Sequence, residues 1–103
     1  MQMHSKKRLE LMIEKPAIKR ACRILEGAGV KGYTVVPAVG GYRDGQSWTR
    51  GVDISSANDT LVIISIMDEG IVEKCIRDLE ELISIHTGFL SLSDVTVIRD
   101  DMF

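Results

Sequence analysis

Two arginines and four glycines fall within the segment 40–51, G-G-Y-R-D-G-Q-S-W-T-R-G. A guanidinium presents a fork of N–H donors that grips a phosphate or carboxylate through two oxygens at once. Glycine lets backbone N–H groups approach such a ligand closely. Arg43 and Arg50, flanked by Gly40, Gly41, Gly45 and Gly51, are therefore the candidate anion-binding groups, and Trp48, the sole tryptophan, sits between them. The pattern is not a Walker A loop, because no Lys-Ser/Thr pair follows the glycines. A mobile surface hairpin is the alternative reading of the same composition.

Other chemistry is sparse. His4 falls in a terminal segment expected to be loose. His86 falls at the expected C-terminus of a helix, where partial positive charge suits the dipole. No Ser/His/Asp or Cys/His spacing stands out, so no catalytic residue and no enzyme activity is expected. Cys22, Cys75 and His86 form no close-spaced ligand pairs, so no metal site is expected. Both cysteines occupy apolar helical positions and read as buried reduced thiols of a cytoplasmic protein.

The elements that must carry these residues follow from apolar periodicity. Residues 8–14 alternate, with Leu9, Leu11 and Ile13 facing one way, as in a half-buried strand. Pro16 suits the first turn of a helix. Ile18, Ala21, Cys22 and Leu25 continue it, and Gly27 and Gly29 end it. A second strand starts at Gly32 and reaches Pro37, which removes a ladder donor. A connection of about twenty residues follows, far above the usual median of ~5, and such loops are usually functional or disordered. A third strand spans Thr60 to Met67 and is apolar on both faces. Asp68 is placed to cap a second helix, whose stripe is Ile71, Val72, Cys75, Ile76, Leu79, Leu82 and Ile83. A fourth strand is expected at Val95–Ile98. The order βαββαβ with right-handed crossovers gives an α+β, ferredoxin-like sandwich with both helices on one face of the sheet. The open face then calls for a partner, and self-association is the economical one.

Length and composition agree. The 103 residues make one domain, 45% hydrophobic and 27% charged, with a net charge of −2. That charge argues against a dedicated nucleic-acid binder. The longest apolar run, Leu61 to Met67, is too short to span a membrane. Met1 to Arg8 lacks the apolar core of a secretory signal.

Gly29-Val30-Lys31-Gly32-Tyr33-Thr34-Val35, preceded by a strand and a helix opened by Lys15-Pro16, resembles the G-x-x-G-x-T-V strand of the PII signalling proteins. Gly40-Gly41-Tyr42-Arg43 is similar to the start of that family's long T-loop, and Arg50-Gly51 to an Arg-Gly later in it. Thr87-Gly88 resembles the opening of its second nucleotide loop, the B-loop. The resemblance covers most of residues 8–99 and implies a single PII-like domain over 1–103. Residues 39–57 then correspond to a T-loop, expected to be mobile without ligand and ordered in part by it.

The resemblance further implies a cytoplasmic homotrimer, with an adenine nucleotide in each cleft between subunits and a loop that signals to a membrane transporter or an enzyme. The ligand set it implies is Thr34, Val35, Gly40, Gly41, Arg43, Arg50, Thr87, Gly88, Ser91 and Arg99. Arg99 stands alone where the family carries several C-terminal arginines. The departures refine this. The family's B-loop, T-G-x-x-G-x-G-K, reads Thr87 to Asp94 here without the later glycines or the lysine, so ADP or AMP is expected over ATP. Asp44 replaces the glutamine used for Mg-ATP and 2-oxoglutarate, and the uridylylated tyrosine has no counterpart. The chain is thus similar to the short, carboxysome-associated PII-like branch, which pairs an adenine nucleotide with bicarbonate and links to inorganic-carbon uptake. Two other classes share the topology: a CutA-like trimer with a metal or structural role, and a small acyl-phosphate hydrolase.

Overall fold

The computed structural model describes residues 2–50, 59–99 and 101–103. Strand β1 runs from His4 to Glu14, a 3-10 turn covers Lys15–Ala17, and helix α1 covers Ile18–Ala28. Strands β2 (Thr34–Pro37), β3 (Gly40–Arg43), β4 (Gln46–Thr49) and β5 (Thr60–Met67) follow, then helix α2 (Glu69–Ile85) and strand β6 (Gly88–Val97). The main sheet has the order β2-β5-β1-β6, with antiparallel neighbours throughout. Each βαβ unit therefore leaves one strand's width between its parallel strands, and the other unit fills the gap. This is the expected ferredoxin-like sandwich.

The alternation in β1 does what the sequence predicts. Leu9, Leu11 and Ile13 are wholly buried, and Ile63 and Met67 of β5 join them beneath the helices. Ala21 and Leu25 of α1, and Val72, Cys75, Leu79 and Leu82 of α2, close the core. Small residues on α1 let the two helices lie close to the sheet while leucines fill the space between layers. Val62, Ile64 and Ile66, on the opposite face of β5, are half-buried. They share that face with Arg8 and Glu10, whose side chains approach to 3.8 Å. Cys75 is buried and Cys22 half-buried, both as free thiols, and burial pushes the Cys75 thiol pKa up.

Helix α1 stops in a Schellman turn. Gly29 adopts φ 93°, its N–H reaches the Glu26 carbonyl, and the Val30 N–H reaches that of Leu25. Only glycine takes this backbone angle without strain. Gly27 lies inside the helix rather than ending it. Asp68 stands at the α2 N-cap as expected, but its carboxylate accepts from Lys6 Nζ at 2.5 Å, and no side-chain cap bond to the helix forms.

Three segments differ from the sequence expectation. His4 belongs to β1, opposite Val97, rather than to a loose terminus. The last strand starts at Gly88, not Val95, and ten residues pair with β1. The serines at 91 and 93 and Asp94 hide it from an apolar count, because an edge strand with a wet face needs no continuous apolar run. The long connection contains a second, two-stranded sheet, β3–β4, with pairs from Gly40–Thr49 to Arg43–Gln46. Asp44 and Gly45 form its two-residue turn, both with positive φ, of 50° and 80°. Asp-Gly is the dipeptide that such a turn prefers. Residues 51–58, the remainder of the expected T-loop together with Gly51, lie outside the described residues.

Candidate functional site

A cavity of about 380 Å³ opens where β1 ends, β6 begins and the hairpin folds back. Its walls are Met12, Ile13 and Glu14 from β1, Arg43 to Trp48 of the hairpin apart from the turn residues, Thr60 at the start of β5, and Thr87–Gly88. Three features of the chain create it. The β1–β6 ladder ends at the Ile13–Gly88 pair. Gly88 is required there by space, since a Cβ would lie 2.4 Å from the Met12 carbonyl oxygen. The hairpin register then points Arg43, next to the turn, towards this corner.

The hairpin is shaped by its own glycines. A Cβ on Gly40 would lie 2.7 Å from the Trp48 carbonyl oxygen, and one on Gly41 about 3.0 Å from the Trp48 indole. The indole thus comes too close to the Gly41 backbone to leave room for a side chain there. Both glycines serve close approach, here to Trp48.

Arg50 anchors the hairpin's far end. Its Nε donates to the Ala38 carbonyl at 2.9 Å and its Nη2 to that of Thr60 at 2.7 Å. Its Nη1 lies 3.9 Å from Asp59. These bonds join Ala38, just after β2, to Asp59 and Thr60 at the start of β5, and Thr60 is part of the cavity wall. Arg43, by contrast, lines the cavity itself.

The cavity's other charged side chain is Glu14. Its backbone N–H donates to the Thr87 carbonyl at 3.2 Å. Its Oε1 accepts from the Thr87 N–H at 3.3 Å and lies 2.8 Å from His86 Nδ1. The carboxylate therefore pins the turn between α2 and β6 to the end of β1.

Of the ten residues expected to bind ligand, the structure brings Arg43, Thr87 and Gly88 together on this cavity. Gly40, Gly41 and Arg50 build the hairpin behind it. Thr34 and Val35 lie on the edge strand β2, opposite Ile64 and Ile63. Ser91 lies on β6 opposite Glu10, and Arg99 is paired with Asp101 at 2.9 Å. The sequence does not single out Glu14, His86, Gln46 or Thr60 as ligand-site residues. The Asp44-Gly45 turn signal would have found Gln46. Nothing local marks Glu14, whose partner is 72 residues away. Among the described residues no group of three or more His, Cys, Asp or Glu side chains is placed to hold a metal ion. No helix there is long and apolar enough to cross a membrane.

Comparison with solved structures finds the same fold elsewhere. The PII-like protein CPII of Thiomonas intermedia K12, bound to ADP and bicarbonate, superposes with a TM-score of 0.78 at 26% identity, over 95% of this chain and 93% of that one. The same protein bound to ADP, AMP and acetate gives a TM-score of 0.77 at 27% identity, over 100% and 98%. A PII-like signalling protein of Thermus thermophilus gives 0.77 at 21% identity, over 96% and 95%, a likeness of fold. A comparison with curated proteins finds no match. The family model for nitrogen regulatory protein P-II matches residues 6–102, which takes in all but the first two residues of β1, every later element and all the residues that line the cavity, and the chain belongs to that family.

Proposed function

We propose that this PII-like regulatory protein binds ADP or AMP, with bicarbonate as a second ligand, and signals through the segment 39–57 to a transporter or enzyme of inorganic-carbon uptake. The observation that carries the reading is the cavity in which Arg43 meets the Thr87–Gly88 backbone. A guanidinium at the wall of such a cavity is suited to a phosphate. CPII, with the same fold at 26–27% identity, has been solved with ADP and bicarbonate and with ADP, AMP and acetate.

The β6 strand supports a short phosphate chain. Residues 88 to 94 pair with β1 instead of forming a glycine loop, and Asp94 holds Lys7. A lysine-bearing loop for an outermost phosphate is thus replaced by a strand. Each charged hydrogen bond lost there costs about 1.5–3 kcal/mol, roughly ten- to a hundredfold in affinity. ADP and AMP are therefore ordered above ATP.

The functional unit is a homotrimer. PII-like proteins are typically trimers, and the half-buried Val62, Ile64 and Ile66 lie on the sheet face that the helices leave open. Thr34, Val35, Ser91 and Arg99, which lie away from the cavity within one subunit, are proposed to complete the cleft across subunits.

Calorimetric titration with ATP, ADP, AMP and cyclic AMP, each with and without bicarbonate and 2-oxoglutarate, tests the ligand. ADP or AMP binding in preference to ATP is expected, and loss of that binding in Arg43→Ala. Tighter ATP binding would overturn the B-loop argument. Light scattering that gives a stable monomer at micromolar concentration would remove the cleft.

A further inference from the structure

Glu14 lines the cavity on one side and meets His86 on the other. Their side chains are only 20% and 23% exposed, so water screens the pair in part. An ionised carboxylate can only accept hydrogen bonds, so His86 donates through its Nδ1–H, and the same carboxylate oxygen accepts from the Thr87 N–H. The pair thus clasps the Thr87 backbone to the end of β1.

We propose that Glu14 and His86 are a positioning pair for the cavity: His86 orients the Glu14 carboxylate, which holds the Thr87–Gly88 backbone against an anionic ligand. The inference rests on the reading of this cavity as an adenine-nucleotide site. A carboxylate on the wall of an anion site works against the ligand's charge, so its place beside Arg43 is explained by the backbone it holds.

The other charges around the pair are exposed or engaged elsewhere. The 3-10 turn next to Glu14 contributes Lys15, which is exposed, and the last turns of α2 contribute Glu80 and Glu81, also exposed. The segment entering β5 contributes Asp59, which Arg50 offsets at 3.9 Å. The hairpin contributes Arg43. The charged residue of β6, Asp94, is at a distance along the strand and is engaged by Lys7.

The test is ADP titration, with the urea midpoint followed beside it, on the wild-type protein and on Glu14→Gln, Glu14→Ala, His86→Gln and His86→Ala. Glu14→Gln keeps an oxygen for the Thr87 N–H and removes a negative charge from the wall, so it should bind ADP at least as tightly as the wild type. Glu14→Ala loses the clasp and should bind about three- to tenfold more weakly than Glu14→Gln. His86→Ala removes the donor that orients the carboxylate and should weaken binding, and His86→Gln, which can still donate an N–H, should restore it in part. Equal affinities for Glu14→Ala and Glu14→Gln would overturn the positioning role of Glu14, and an unchanged affinity in His86→Ala would remove His86 from the pair. ADP binding that is intact but blind to these changes refutes the pair alone, whereas no ADP binding by the wild type refutes the nucleotide reading and the pair with it.

Discussion

Strands β1 and β5 pair over eight residues, from Lys7–Met67 to Glu14–Thr60, whereas β3 and β4 pair over four. The two ladders hold their register by different means. In the long one, Leu9, Leu11, Ile13, Ile63 and Met67 must all face the helices. A slip of one residue would turn every side chain of a strand to the other face. In the short one no residue is fully buried; Tyr42 is 73% exposed. Its register comes from the positive φ angles at Asp44 and Gly45, and from an indole close against a bare glycine backbone. The core sheet is thus specified by burial and the hairpin by turn chemistry. A ladder held by a local turn can open without unfolding the core, so the hairpin is expected to be the less stable of the two.

The comparison breaks most visibly in the core. Leu11→Ala removes a wholly buried side chain. It should cost about 2–5 kcal/mol, read as a fall in the urea midpoint, and a cost below about 1 kcal/mol would mean that the β1 face does not fix the sheet. Gly88→Ala strikes where the two regions meet. Its Cβ must push against the Met12 carbonyl. A cost of about 1–3 kcal/mol is expected, together with weakened ADP binding because Thr87 moves with it. Unchanged affinity beside lowered stability would separate the site from the ladder.

Smaller effects sharpen the contrast. Gly45→Ala places a side chain at φ 80°. That should disfavour the turn by about 1–2 kcal/mol. Because the hairpin opens locally, the global melting temperature should hardly change while Trp48 fluorescence shifts to the red. A fall in melting temperature as large as that of Leu11→Ala would show the two ladders to be one cooperative unit.

The smallest effect is expected at the exposed Lys7–Asp94 pair. The hydrogen bond that Lys7 donates to the Asp94 carboxylate, and then that carboxylate's charge, raise the Lys7 pKa above its ordinary 10.5. The pair's stabilisation is therefore present below the unfolded value and is lost as the pH rises through the higher folded one. Asp94→Asn should bring the Lys7 titration, followed by carbon NMR, back towards 10.5. Stability at pH 7 should change little. An unmoved titration would remove the pair.

The same contrast explains what can be read in advance. Ile18, Ala21 and Leu25, and the α2 stripe from Ile71 to Ile83, announce helices because their period is set by the core they enter. The β6 strand reads too short in the sequence because its serines and Asp94 face water along an edge. The hairpin is legible only as an alternative reading, because Asp-Gly is only two residues of signal within a connection that has no apolar period. Arg50 illustrates a different limit. Its residue type suits an anion, but within this subunit its donors go to the carbonyls of Ala38 and Thr60.

By itself the amino-acid sequence determined the βαββαβ order of the main sandwich, the buried faces of β1 and of both helices, and the family, because all three are written in local periodicity and in short glycine-bearing motifs. The tertiary structure alone decided which charges share the cavity. Glu14 and His86 are 72 positions apart, and Arg43 reaches the same corner only after the Asp44–Gly45 turn folds the hairpin back. A hydrogen bond depends on the distance between atoms in space, and the residues between two partners carry no local mark of it. Chain closure around β1 brings the partners together, which is why the site could be placed only once the sheet was in hand.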